Sequence, residues 1–272
     1  MRIWHQSITD LSRLPQYRRN LSEHAAKVLS PDTTVVPHGM PVGVYGTRAP
    51  TDASQFPYIE FLCERLICEA ALAAEREGFD AMAIGCYYDP GLRLARSLVD
   101  IPVVGITETS MLIACSLGKK FGVVTICPPI RDHLLDSVDE YGLSERMSSI
   151  ISMDPPITEY AMEGDEQAAR AVEESFLQAC RQVIAEGADV IIPGEGVLNE
   201  FAFRRGITSC DGAPIIDGNA ALWNYATMLA NLRRTTGLVV SRRFTYAKPP
   251  RELLEESRAF HHLRPLTSED FS

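Results

Sequence analysis

A chain of 272 residues with 46% hydrophobic and 23% charged side chains can bury a full core, and two domains of ordinary size would fit in it. Its formal net charge of −10 argues against a nucleic-acid or anionic-membrane surface, and no apolar run approaches the roughly 18 residues that a membrane span needs. Met1-Arg2-Ile3-Trp4-His5-Gln6 reaches polar residues too soon for a secretory signal, and seven scattered cysteines without zinc-type spacing fit free thiols in a reducing cytoplasm.

In chain order, Ile3 to Gln6 reads as a first strand, 11–28 as a helix, and Thr33 to Pro37 as a second strand ending in a His38-Gly39 turn. Residues 40–56 read as a long loop, and loops of that length are often functional. Tyr58 to Glu77 has strong helical periodicity. The run Ala81-Met82-Ala83-Ile84-Gly85-Cys86 is a buried strand, followed by the turn Asp89-Pro90-Gly91 and a helix over 91–98. Ile101 to Ile106 is the next strand, with Pro102 at its start, and Thr107 to Leu117 a helix with Gly118 as its C-cap. A second round follows: strand 121–125, helix 131–138, strand 150–153, a two-proline loop over 154–163, helix 166–186 and strand 190–194. Ala213 to Gly218 is another strand, and Asn219 to about Arg233 another helix. Strands alternating with helices at this spacing mean parallel sheets covered on both faces. The last thirty-odd residues are assigned packing or subunit contact.

A strand that stops on Cys86 places the sulfur at the carboxyl end of a sheet, where open α/β folds bind ligands. Amides at the start of the following helix would lower its pKa from about 8.5 toward roughly 3.5–7.5. The bland reading is a buried structural cysteine. An internal repeat favours the first reading. Gly78-Phe79-Asp80 followed by the Cys86 strand can be laid over Gly187-Ala188-Asp189 followed by the strand that ends at Gly194-Glu195-Gly196. Each is followed by a Pro-led strand, at Pro102 and at Pro214. Cys86 and Glu195 therefore hold equivalent positions in two α/β halves, and a pseudo-twofold axis would point both into one cleft. The expected halves are 1–106 plus 220–272, and 107–219.

The chain resembles the aspartate/glutamate/hydantoin racemase superfamily, and most its hydantoin and allantoin racemase branch. The match lies in Gly85-Cys86-Tyr87-Tyr88-Asp89-Pro90-Gly91, Pro102-Val103-Val104-Gly105-Ile106 with Glu108, Phe121-Gly122-Val123-Val124-Thr125, and Pro214-Ile215-Ile216-Asp217-Gly218. The resemblance implies two flavodoxin-like domains with an active site between them. It also implies isomerisation of a small molecule without metal, pyridoxal phosphate or other cofactor, by one cysteine per domain. The chain departs from the family pattern twice. Glu195 stands where the second cysteine is expected, and the usual substrate-contacting asparagine after the first strand is replaced around His5-Gln6-Ser7.

Cysteine and glutamate start about four pKa units apart, and two-base racemisation requires that gap to narrow from both sides. The expected site is Cys86 and Glu195 as acid and base, with Gln6, Ser7, Gly85, Tyr87, Thr125, Gly194 and Gly196 against the substrate. Backbone N–H groups of Tyr87 and Gly196 would stabilise an enolate-like intermediate. On the resemblance, the Thr125 hydroxyl binds a substrate carbonyl or carboxylate. Tyr88 packs or shapes the pocket, Asp89 caps the helix after its turn, Glu108 and Asp217 hold hydrogen bonds behind the site, and His5 and His38 are structural or line the cleft. The leading function is a cofactor-independent isomerase acting on a hydantoin-like or amino-acid-like compound. A cysteine-dependent decarboxylase or cyclic-amide hydrolase, and a non-catalytic binding protein, are the alternatives. A homo-oligomer, with neither nucleic acid nor membrane as partner, is expected.

Overall fold

A computed structural model describes residues 1–272. The first half alternates strands and helices as β1 (Arg2–Gln6), α1 (Pro15–Val28), β2 (Thr34–His38), α2 (Pro50–Ser54), α3 (Pro57–Arg76), β3 (Ala81–Ile84), α4 (Leu92–Leu98) and β4 (Val103–Gly105). The second continues with α5 (Ile106–Leu117), β5 (Phe121–Thr125), α6 (Ile130–Glu140), β6 (Met147–Ser152), α7 (Glu166–Ala185), β7 (Val190–Pro193) and α8 (Gly196–Arg205). The short strands β8 (Ser209–Cys210) and β9 (Ala213–Pro214) lead into α9 (Gly218–Thr236), and α10 (Arg251–Phe260) lies in the tail.

All long strands pair in parallel, in the orders β2-β1-β3-β4 and β6-β5-β7. Ile215 extends the second sheet by a parallel bridge to Ile191 of β7. Both halves thus repeat the flavodoxin-like 2-1-3-4 order. Strands β3, β5 and β7 are buried along their whole length, as coverage on both faces demands, and only Thr125 among their residues is polar. Sixty-eight buried side chains form one continuous cluster through both sheets, so the halves share a core.

Several elements differ from the sequence reading. Helix α1 starts at Pro15, where the missing N–H of proline costs nothing, and Leu11–Arg13 forms a separate 3-10 turn. His38 belongs to β2, and the 40–56 loop carries α2. The strand expected over 213–218 shrinks to β9, which pairs antiparallel with β8; Pro214 has no N–H to give a parallel ladder. Helix α8 fills the helix-sized gap between the Glu195 strand and Pro214, to which the sequence reading assigns no element. Gly118 ends α5 in extended backbone (φ −149°), not in a left-handed cap. Its glycine is required by packing, since a Cβ would lie 2.6 Å from Asp189 Cβ.

The tail folds back on the first half. Phe271 is fully buried edge-on to Trp4, Gly39 N donates to Phe271 O (2.8 Å), and Arg258 forks onto Glu69 (2.6 and 2.8 Å). No helix is long and apolar enough to cross a membrane.

Candidate active site

Strands β3 and β7 stop side by side at the boundary of the two halves. Cys86 stands two residues beyond Ile84, and Glu195 two residues beyond Pro193. The strand ends meet over bare backbone: a Cβ on Gly196 would fall 2.7 Å from Gly85 O and 2.9 Å from Tyr17 Oη. Gly196→Ala is therefore expected to cost about 1–3 kcal/mol by overpacking and to weaken ligand binding, measured by denaturant unfolding and calorimetry. Unchanged values for both would show that the junction is loose.

A cavity of about 440 Å³, counted out to its open side, takes both Cys86 and Glu195 into its wall. Ser7, Gly85, Tyr87, Gly194 and Gly196 line it with them. Gln6 and Thr125 do not. Gln6 is fully buried, accepts from Trp4 Nε1 and donates to Ser7 O and Gly39 O (2.9 Å each), which ties off the end of β1. Thr125 acts one step behind the cavity, its hydroxyl donating to Glu195 Oε1 and to Cys127 O (3.1 Å). Ile126 N donates to the same Glu195 oxygen at 3.0 Å, while Oε2 is buried without a partner. His5 accepts from Trp223 Nε1 (3.0 Å) and His38 stacks on Trp4 at 3.5 Å. Burial pushes these imidazoles down to about 3 and about 4, and neither lines the cavity.

The turn that carries Cys86 is held from the second half. Tyr88 and Asp89 are both left-handed (φ 69° and 49°), and Tyr88 N donates to Thr107 Oγ1 at 2.7 Å. Asp89 does not cap α4, whose N-cap is Gly91. It accepts instead from Thr107 N (2.9 Å) and Glu108 N (2.8 Å) at the start of α5, and from Tyr141 Oη (2.7 Å). Burial is the main reason that its carboxyl is pushed up to about 6. Glu108 forks onto Arg96 behind the site. The Tyr87 hydroxyl pairs with Ser110 (3.1 Å), and the Tyr88 ring lies in the cavity wall, stacked on His133.

Ionisation departs from expectation on the sulfur side. Burial, reinforced by the charge of Asp89, raises the Cys86 thiol well above its ordinary value. Helix α4 begins only at Leu92, six residues past Cys86, whereas α8 begins immediately after Glu195. Glu195 leaves that N-terminus without a side-chain cap, and the first-turn residues Gly196 and Val197 line the cavity. Glu195 itself is pushed up to about 8, by burial first, against the pull of Thr125 and Ile126 and with a further push from Glu159.

Sequence reasoning missed two groups. Glu159, from the two-proline loop, is almost wholly buried in the cavity wall, and its two oxygens accept from Thr51 N and Thr51 Oγ1 (3.1 Å each). The other is the anchor of α8. His24 of α1 lies between Glu200 (2.6 Å) and Asp217 (2.8 Å), stacked on Phe203 at 3.4 Å. Asn219 donates to Glu200, Asn199 to Asp217, and Asp217 caps α9 through Ala220 N (3.0 Å). No group of three or more His, Cys, Asp or Glu side chains is placed to hold a metal ion.

Two flavodoxin-like halves thus enclose a thiol and a carboxyl, at matching strand ends, in one cavity. The chain belongs to the Asp/Glu/hydantoin racemase family, whose model matches residues 16–226, and it is an isomerase of that class. It is 33% identical over 230 residues to the hydantoin racemase of Pseudomonas sp. strain NS671, covering 85% of this chain and 86% of that protein. Among solved structures it is similar to allantoin racemase from Klebsiella pneumoniae (TM-score 0.75, 22% identity, 92% of this chain and 94% of that one). Allantoin racemase from Pseudomonas fluorescens superposes with a TM-score of 0.70 at 25% identity, covering 92% and 97%.

Proposed function

We propose that this enzyme racemises the ring stereocentre of a hydantoin-like cyclic amide without a cofactor, with Cys86 and Glu195 carrying protons on opposite faces. The observation that carries this reading is that both groups line one cavity, each two residues past an equivalent strand. The halves doing so are 1–106 plus 220–272, and 107–219. In one direction the Glu195 carboxylate takes the proton from the carbon beside the ring carbonyl, and the electron pair moves onto that carbonyl oxygen as an enolate. The Cys86 thiol then delivers its proton to the other face, leaving a thiolate and a protonated Glu195. The opposite enantiomer runs the same steps in reverse. First-turn N–H groups at Gly196 and Val197, two residues of the cavity wall, would receive the enolate oxygen.

The relatives named hydantoin racemase support the ring class of substrate. The test is incubation of a single enantiomer of a 5-alkyl hydantoin in deuterated water. Wild type is expected to lose optical rotation as deuterium enters the ring carbon, and Cys86→Ala to lose at least about 100-fold of that rate. No deuterium incorporation by wild type, or full racemisation by Cys86→Ala, would reject the proposal.

A further inference from the structure

Charge on the cavity wall is one-sided. Glu159 and Glu195 both line it, and no lysine, arginine or histidine does. Each of the two carboxyl side chains is more than nine-tenths buried, and Glu195 Oε2 has no partner. Glu159 is anchored only by the neutral donors of Thr51, which fix its direction without balancing its charge. Past Glu159 lies a second cavity of about 280 Å³ that shares Tyr17, Glu159 and Val197 with the first. It adds Glu163 and Glu200, with Arg204 as its single cation. Glu200 Oε2 is also buried without a partner.

Resting on the ring chemistry proposed above, we infer that Glu159 sets specificity for substrates whose ring bears a cationic arm, such as an ammonium or guanidinium on a short chain. The reacting ring carbon sits between Cys86 and Glu195, and the arm extends toward Glu159 and the acidic chamber beyond it. The cationic arm supplies the counter-charge that the neutral Thr51 donors do not give Glu159. An anionic arm placed there meets a buried carboxyl with no compensating base, and at a few ångströms in a partly desolvated site one charge reversal changes affinity well over tenfold.

The experiment compares three hydantoins, with 2-aminoethyl, propyl and 2-carboxyethyl groups on the ring carbon, by calorimetry at neutral pH and by deuterium exchange. Wild type is expected to bind the aminoethyl compound at least about 30-fold more tightly than the carboxyethyl one, with propyl between them. Glu159→Gln is expected to compress that spread to within about threefold while folding normally. Glu159→Asp keeps the charge but withdraws it by one methylene, and is expected to keep the order while weakening the aminoethyl ligand severalfold.

A flat or reversed order in wild type overturns the inference, as does an undiminished cationic preference in Glu159→Gln. Unaltered aminoethyl affinity in Glu159→Asp overturns it too, even if the Gln variant does not fold. Exchange on all three compounds without the binding order sinks this inference alone. The binding order without any exchange sinks the proposed reaction and leaves the specificity role standing.

Discussion

Glu195→Gln is expected to slow racemisation by about 10²- to 10⁴-fold, the range that a positioned general acid or base supplies. The amide is isosteric and its oxygen can still accept from Thr125 and Ile126, so the cavity keeps its shape and the loss falls on kcat rather than KM. The pH profile carries the same assignment. Glu195 stays protonated up to about 8, chiefly through burial, and the Cys86 thiol stays protonated to higher pH still. The form that has one proton between the two groups therefore appears as pH rises through about 8. Below that point wild-type kcat/KM is expected to climb about tenfold per pH unit, and above it to level off. The Gln variant loses this limb. A flat wild-type profile from pH 6 to 9 would remove Glu195 from proton transfer.

On the proposed mechanism the proton of that singly protonated form sits mainly on sulfur, and Glu195 is the resident base. One enantiomer meets the majority form of the enzyme, and its mirror image needs the minority form, thiolate with neutral Glu195. The equilibrium constant of a racemisation is unity, so kcat/KM must be equal for the two enantiomers. The asymmetry is confined to kcat and KM taken separately.

Where the sequence was informative, a single stretch of chain carried the signal. The strands at 81–84, 121–125 and 190–193 are apolar but for Thr125 because both their faces are covered, and Gly-x-Asp precedes β3 and β7 alike. That was enough to align Cys86 with Glu195. Helix α8 left no such trace: Gly196 through Ala202 are all buried, Asn199 and Glu200 included, so it has no polar face to set a period. Glu159 and His24 were invisible for another reason. Their partners lie 108, 176 and 193 residues away along the chain, and only the fold brings them together. The ionisation of Cys86 is not legible in the sequence either, because the burial that raises the thiol is set by the folded cavity.

The remaining large effect concerns that hidden anchor. Replacing His24 with leucine, close in volume, is expected to destabilise the protein by about 3–5 kcal/mol near pH 6.5, because it leaves Glu200 and Asp217 facing each other without their cation. Burial alone would depress the imidazole, but hydrogen bonds to Asp217 and Glu200 outweigh it and raise the group to about 9. A folded value above the unfolded 6.5 means that this stabilisation is complete below about 6.5 and is lost as pH rises through about 9. The gap in unfolding free energy between wild type and variant should therefore narrow by about 3 kcal/mol across that interval. His5, which also faces His24, is held neutral by burial, so it does not mimic His24 in that window. Because α8 begins at the cavity and is pinned by Glu200, the variant should also lose ligand affinity in step with its stability. A gap that stays constant from pH 6 to 10 would show that His24 is neutral in the folded protein and that α8 is held by packing alone.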